Sequence, residues 1–378
     1  MRIFVISNGY PTKQSPQRGC FERDQAEALA ALKHEVVMLS YDGRFRWFWR
    51  KLGVTTIRQN NVVSIDIFLL PNAVVKFFGI KAYQRFKHWQ MDYVYKRAVK
   101  QFGRPDILYS HFLPNTSNAV FLKEKYGLPL VAMEHWSELA KETIRPFYFQ
   151  MGKEAYPKVD KLLCVSPALS QRLNETFGVQ SEIVPNIVGR EFVYNPDISR
   201  YSIFTIVSVG SLIRRKRLDI TIEAFNTVRK KHPCQLLIVG EGPERQNIQA
   251  HVQRLRLSES VKLLGRKSKS EIAKIYQQSH ALLLSSELET FSVVCIEAMA
   301  CGLPVVATQC GGPESFVRPQ DGLLCPVGDA DAMSDALDRL IINYDQYNPQ
   351  EIAASCQQRF GPATIARQLT RIFEKSPL

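Results

Sequence analysis

The stretch SSELETFSVVCIEAMACGLPVVAT, Ser285 to Thr308, carries three carboxylates: Glu287, Glu289 and Glu297. Glu297 lies inside the apolar run Val293 to Cys301, and the residues three and four positions away are Val293, Val294, Ala300 and Cys301. None of these can pair with its charge. A carboxylate buried there without partners would be strongly destabilising. It needs hydroxyls, backbone N–H groups or a remote base, and a ribose diol would suit it. The plainer reading is a glutamate on the exposed edge of a helix, or one paired with a distant arginine. Glu289 stands just before a helix expected over Ser292 to Cys301. The first N–H groups of that helix lack intrahelical acceptors and suit a phosphate or sugar oxygen.

A second candidate is VGSLIRRKRLD, beginning at Val209. Gly210 lets a ligand approach the backbone, and Arg214, Arg215, Lys216 and Arg217 form a basic cluster between a strand and a helix. Such a cluster suits a diphosphate, although a solvated charge run is the plainer reading. His135, in AMEHWSEL, follows an apolar strand and could equally hold a structural hydrogen bond. The loop SNGYPTKQSPQRGCF after the first strand could approach a ligand. Rival motifs fail. VGEGPER has Arg245 where a dinucleotide fingerprint needs its third glycine, and GRKS at 265–268 lacks P-loop spacing. There is no G-x-S-x-G and no zincin motif.

The elements that must hold these residues alternate between short apolar strands and helices. RIFVIS, EVVMLS, DILYSH, LPLVAME and KLLCVS are strands of a first series; FTIVSVGS, CQLLIVGEG, VKLLG, ALLLSS and PVVAT belong to a second. Two such series imply two doubly wound domains with parallel sheets, and ligands in such sheets bind beyond the carboxyl ends of the strands. The linker is expected within residues 189–202, which gives a first domain over 1–195 and a second over 196–358. Eight cysteines without a C-x-x-C pair fit reduced, buried thiols in a cytoplasmic chain, and neither they nor the seven histidines suggest a metal site. MRIFVISNGYP reads as a buried strand and not as a signal peptide, and no run is long enough to span a bilayer.

Residues 1–190 contain 27 Lys and Arg against 16 Asp and Glu, whereas 191–378 contain 22 against 20. The basic excess therefore belongs to the first half, which is expected to face something anionic. DGRFRWFWRKLG places Arg44, Arg46, Trp47, Trp49, Arg50 and Lys51 in alternation with phenylalanines, and VVKFFGIKAYQRFKHWQMDYVYKRAVK is a second such region. Aromatic and basic side chains together suit the interfacial zone of an anionic membrane. A core helix with a solvated basic face is the alternative. Single-stranded nucleic acid would also accept such a pattern, but the motifs below argue against nucleic acid as the partner.

ELETFSVVCIEAMACGLPVVAT resembles the E-x7-E signature of retaining glycosyltransferase family 4, with Glu289 and Glu297 at its two glutamates. VGSLIRRKRLDITIEAF resembles that family's V-G-R-L-x-x-x-K-G segment, with Lys216 at the lysine; IVPNIV, GGPESFV and DGLLCPVGD resemble further segments. The resemblance covers most of residues 1–345 and is weakest over 42–104. It implies a GT-B fold, two Rossmann-like domains facing a cleft, with a last segment over 359–378 whose helix crosses back to the first domain. It implies metal-independent transfer with retention from a UDP- or GDP-sugar, and no cofactor. Glu297 would hold the ribose. Glu289, with Thr290 and the N–H groups of Phe291, Ser292 and Val293, would hold the sugar. Lys216, with Arg214 or Arg215, would neutralise the diphosphate. Gly19 would let the first loop close, and His135 would contact the sugar.

The sequence departs from the pattern at Ser211, Arg217, Thr290, Ser292 and Ile187. The acceptor is expected to be a saccharide or lipid-linked saccharide of bacterial surface polysaccharide or lipopolysaccharide synthesis. The protein is then expected to be cytoplasmic and peripheral on the inner face of the membrane. The competing readings are a non-catalytic nucleotide-sugar-binding protein and an epimerase of the same fold.

Overall fold

The computed structural model describes residues 1–12, 15, 18–44, 51–71, 74–75 and 77–376. The chain divides into two compact units. Unit 1 comprises Met1–Val165, Leu169–Ile187 and Pro362–Leu378, and unit 2 comprises Ser166–Ala168 and Val188–Gly361. The main division thus falls at Ile187/Val188, before the expected 195/196, and the final segment starts at Pro362 and not at 359.

Unit 1 carries β1 (Arg2–Ile6), α1 (Cys20–Ala31), β2 (Glu35–Tyr41), β3 (Gly53–Gln59), β4 (Val62–Phe68), α2 (Ile80–Phe102), β5 (Ile107–His111) and α3 (Leu113–Tyr126). It continues with β6 (Leu130–Glu134), α4 (Pro146–Ala155), β7 (Lys161–Cys164), α5 (Pro167–Phe177, whose first residues belong to unit 2) and β8 (Glu182–Ile183). Its sheet has the order β3-β4-β2-β1-β5-β6-β7-β8. Every pairing is parallel except β3 with β4. The central strands β1, β2, β5 and β6 are buried nearly throughout, as strands covered on both faces must be.

Unit 2 carries β9 (Phe204–Val209), α6 (Leu218–Val228), β10 (Cys234–Val239), α7 (Arg245–Arg254), β11 (Val261–Gly265), α8 (Lys269–Gln278) and β12 (Ala281–Leu284). After these come α9 (Val293–Ala300), β13 (Val305–Thr308), β14 (Gly322–Cys325), α10 (Ala330–Ile342) and α11 (Pro349–Phe360). Its sheet is parallel, in the order β11-β10-β9-β12-β13-β14. Strand order reverses between β9 and β12, so loops leaving those two neighbours diverge and open a crevice at their carboxyl ends. The final helix, α12 (Pro362–Glu374), belongs to unit 1. It buries Ile365, Ala366, Leu369, Ile372 and Phe373, with the Phe373 ring 5.1 Å from that of Tyr109 on β5.

Residues 42–104, where no element order was legible, contain the antiparallel β3–β4 pair and the long α2. One face of α2 buries Tyr83, Lys87, Gln90, Met91, Val94, Tyr95 and Ala98. The other exposes Arg85, Trp89, Tyr93, Lys96, Arg97 and Lys100. Among the described residues, no helix is long and apolar enough to cross a membrane. All eight cysteines are free thiols, buried except Cys20, which is half-buried.

Candidate functional site

In unit 2 the loops after β9 and β12 meet at the reversal point of the sheet. Lys216 closes the short 3-10 turn Arg214–Lys216, and its ammonium donates to Oε1 of Glu289. Ser286 Oγ donates to the same oxygen at 2.8 Å. Backbone bonds fix both loops: Glu287 N–H donates to Arg215 O at 2.9 Å, and Glu289 N–H donates to Cys310 O at 2.8 Å. Ser285 Oγ donates to the carbonyls of Lys216 and Arg217 at 2.9 and 2.7 Å. The two loops are thus one hydrogen-bonded body before any ligand arrives. Gly210 lies under the Lys216 side chain, since a Cβ there would stand 3.5 Å from Lys216 Cε.

The short helix α9 begins at Val293, one residue after the expected start, with Ser292 at its N-cap in the left-handed region, φ 73° and ψ 73°. Thr290 is half-buried and Phe291 is 2% exposed. The Phe291 ring packs 5.0 Å from Phe316 and 5.7 Å from Phe360, so this residue offers a ligand its backbone and not its ring. Glu297 is only 8% exposed, which rules out the exposed-edge reading. Its charge lies close enough to Tyr276 and Cys301 to add to the upward push that burial gives both groups. Arg214 is exposed and Arg215 half-buried, and among the described residues neither forms an ion pair. Arg217 is engaged elsewhere, with Asp219 at 2.8 Å and Glu287 at 3.0 Å.

One contributor escaped the sequence reading. Gly312 packs on the loop so tightly that a Cβ there would lie 2.5 Å from Phe291 O, and a Cβ on Gly311 would lie 2.9 Å from Glu289 O. The pair GG before Pro313 was the available signal.

The other expected residues belong to unit 1. Gly19 is the left-handed N-cap of α1, φ 67° and ψ 23°. A Cβ there would meet Gly9 O at 1.7 Å, so glycine is required by the packing of the first loop on itself. His135, just beyond β6, is 6% exposed, and its Nδ1 is 3.3 Å from Asn186 Oδ1. An amide oxygen only accepts, so Nδ1 carries the proton and Nε2 is the acceptor. The ring stacks on Phe112 at 4.1 Å, and burial pulls its pKa down to about 4, leaving a neutral imidazole at physiological pH. Beneath it, Glu134 accepts from the N–H groups of His135 and Trp136, each at 3.0 Å, and from Tyr156 Oη at 2.8 Å. Burial raises Glu134 to about 7.

Of the expected membrane-facing residues, Arg46, Trp47, Trp49 and Arg50 lie outside the described residues. Arg44 pairs with Asp42 at 2.9 Å, and Lys51 is exposed. A different exposed surface is visible on the second basic–aromatic region: Phe77 is 89%, Phe78 73% and Trp89 52% exposed. Among the described residues, no cluster of three or more His, Cys, Asp or Glu side chains is arranged to hold a metal ion.

Comparison with known proteins adds the following. Residues 202–355 match the family model described as glycosyl transferases group 1, and residues 23–192 match that of glycosyltransferase family 4. An uncharacterized glycosyltransferase of Methanocaldococcus jannaschii is 30% identical over 242 residues, which is 63% of this chain and 66% of that protein. The structure of sucrose-phosphate synthase from Thermosynechococcus elongatus superposes with a TM-score of 0.79 at 19% identity, covering 99% of this chain and 98% of the other. An Anabaena protein solved in complex with UDP superposes with a TM-score of 0.73 at 16% identity, covering 99% of this chain and 100% of the other. The fold is the one those structures share, two Rossmann-like domains of parallel sheet.

Proposed function

We propose that this chain, which belongs to the group 1 glycosyltransferases of family 4 type, moves a sugar from a UDP- or GDP-sugar to a saccharide or lipid-linked saccharide, with retention at the anomeric carbon and without a metal ion. The observation that carries the reading is the convergence of Lys216, Glu289 and the N-terminus of α9 at the strand-order reversal of unit 2, with Glu297 buried in the same helix. The reaction breaks the bond between the anomeric carbon and a diphosphate oxygen, so charge accumulates on the leaving diphosphate. Lys216, Arg214, Arg215 and the free N–H groups of α9 meet that charge with fixed donors. Glu297 accepts from the two ribose hydroxyls. Glu289, with Thr290 and the N–H groups of Phe291, Ser292 and Val293, holds the transferred sugar.

In unit 1, neutral His135 offers Nε2 as an acceptor to a sugar hydroxyl. The UDP complex of the similar Anabaena protein supports a nucleoside diphosphate as the leaving group. The exposed aromatic and basic side chains of unit 1 support an acceptor presented at an anionic membrane, with the protein peripheral on its cytoplasmic face. Surface polysaccharide or lipopolysaccharide synthesis is the setting in which such an acceptor occurs.

The test is calorimetric titration of UDP-, GDP- and dTDP-sugars into wild type and Glu297→Ala. One nucleotide class binds wild type, and the variant loses at least about tenfold in affinity, the worth of one charged hydrogen bond. Equal binding by both proteins would remove the ribose role from Glu297 and with it the donor site.

A further inference from the structure

Lys87 lies on the inner face of α2 and is 4% exposed. Its Nζ stands 5.7 Å from the ring centre of Tyr41, at the end of β2, and 5.3 Å from that of Tyr83. Among the described residues no carboxylate pairs with it. The acids of the neighbourhood are engaged by other cations: Asp92 by Lys125 at 2.9 Å and Lys96 at 3.0 Å, Asp66 by Arg18 at 2.9 Å, and Asp42 by Arg44 at 2.9 Å. Two aromatic faces offset part of the several kcal/mol that burying the ion costs, but they supply no negative charge.

The groups around it are also incomplete. Gln90, one turn along the same buried face, is 0% exposed, and neither of its side-chain polar atoms has a partner among the described residues. Asn118 on α3 directs Nδ2 to Pro114 O at 3.0 Å and towards the Tyr41 hydroxyl at 3.5 Å, and its Oδ1 is unpartnered. Burial holds the Lys87 ammonium below its ordinary pKa, and no carboxylate acts to raise it. His88 is lowered by burial and then by Lys87, with Glu124, itself paired with Lys158 at 2.6 Å, acting the other way. A lysine kept only for packing would be served better by methionine.

We propose that unit 1 binds a compact oxyanion, a phosphate or a carboxylate, at Lys87 between α2 and the end of β2. The oxyanion supplies the negative charge the ammonium lacks and accepts from the Tyr41 hydroxyl and the Gln90 amide. Unit 1 is the acceptor side of the proposed transfer, so the oxyanion is a group carried by the acceptor. That last assignment rests on the proposed function, whereas the anion site does not.

The test uses the full chain without nucleotide or acceptor. Thermal unfolding is followed in inorganic phosphate and in acetate, each against chloride at equal ionic strength. Phosphate stabilises proteins generally by exclusion from their surface, so the readout is the difference between wild type and Lys87→Met. Lys87→Met is expected to unfold in chloride at the wild-type temperature or above, and to lose the specific part of the anion-dependent rise. In calorimetry its phosphate affinity falls at least about tenfold, the worth of one charged contact. Lys87→Gln must behave likewise, which separates charge from packing, and Lys216→Met must keep the effect, which separates this site from the one in unit 2. A Lys87-dependent rise with phosphate alone marks a phosphate ester, and one with acetate alone marks a carboxylate. The proposal is overturned if neither anion gives such a rise, or if Lys87→Met is destabilised in chloride and keeps the full wild-type response. The readout needs no donor, so it stands or falls separately from the Glu297→Ala titration.

Discussion

The ammonium of Lys216 and Oε1 of Glu289 are hydrogen-bonded across two loops that leave neighbouring parallel strands, β9 and β12. The side chains are 16% and 12% exposed, so the pair sits in a crevice and not on an open face. A lysine held this way has much of its side-chain entropy already lost and its ammonium fixed on Glu289. In the proposed function, the diphosphate shares that charge with the carboxylate.

Lys216→Met should lower kcat/KM for the donor by about 100-fold or more, the scale on which a single preorganised donor to a developing anion acts. Lys216→Arg should recover part of it. Steady-state kinetics with the donor identified by calorimetry decides the matter. If KM alone rose a few-fold and kcat held, Lys216 would be a structural partner of Glu289 and not a stabiliser of the leaving group.

Ser292 and Arg217 both occupy left-handed backbone, at φ 73° and φ 46°. For a residue with a Cβ this conformation costs about 1–2 kcal/mol. Arg217 recovers something through Asp219 and Glu287, whereas the Ser292 hydroxyl, among the described residues, contacts Cys295 Sγ at 3.3 Å. Ser292→Gly should therefore raise unfolding free energy by about 0.5–1 kcal/mol after the extra freedom of glycine in the unfolded chain is subtracted. Arg217→Gly should come out near neutral. Urea denaturation of the two variants checks both signs, and a destabilised Ser292→Gly would show that the serine hydroxyl does more than its geometry indicates.

The donor-side loops were legible because chemistry and local structure coincide there. An apolar strand, a short loop and an apolar helix with a misplaced glutamate constrain one another within Ser285–Thr308, and the structure places Glu297 in the buried position that made it conspicuous. The β3–β4 pair was not legible as an element, and α2 entered only as an alternative, a core helix with a solvated basic face. GVTTIRQ is only half-buried, so it lacks a clean apolar alternation, and α2 mixes buried polar residues such as Lys87 and Gln90 with exposed aromatics, which blurs its 3.6-residue period. The resemblance named Gly19 as the glycine that lets the first loop close, yet its contact with Gly9 O depends on a backbone ten positions earlier folding back on it. Contacts of that kind leave no mark on local pattern.

Phe77, Phe78, Trp89 and Tyr93 expose aromatic surface beside Arg85, Lys96, Arg97 and Lys100. Trp89 lies 6.0 Å from both Phe86 and Tyr93, and Phe77 lies 5.9 Å from Phe78, so the exposed rings form two clusters and not isolated side chains. An anionic leaflet gains about 1 kcal/mol for each base brought to its surface, and inserted rings add apolar burial. Replacing Phe77, Phe78 and Trp89 by serine should reduce co-sedimentation with phosphatidylserine vesicles by more than about tenfold while leaving donor binding in unit 2 unchanged, given that two or three buried rings are each worth over 1 kcal/mol. High salt should weaken what binding remains. Full vesicle binding by the triple variant would move the anchor to the stretch around Trp47 and Trp49, where Trp47→Ala with Trp49→Ala tests it directly.

His135 connects pH to stability through its burial. Its folded pKa of about 4 lies below the ordinary 6.5, so its stabilising contribution is complete above pH 6.5 and is lost as pH falls towards 4. Glu22 and Glu134, both raised by burial to about 7, act in the opposite sense: their contribution is complete below their unfolded pKa of 4.5 and is lost as pH rises through 7. These opposing effects mask one another in wild type, so the measurement is a difference. The stability gap between wild type and His135→Gln should narrow by up to roughly 3 kcal/mol from pH 7 to pH 4, because a tenfold change in proton affinity between the folded and unfolded chain is worth about 1.4 kcal/mol. His111, whose ring centre is 5.4 Å from that of His135, is held well below its ordinary pKa by burial and then by His135. A gap that stayed constant over this range would mean that His135 titrates in the folded protein as it does in the unfolded chain, and that burial does not hold the imidazole neutral.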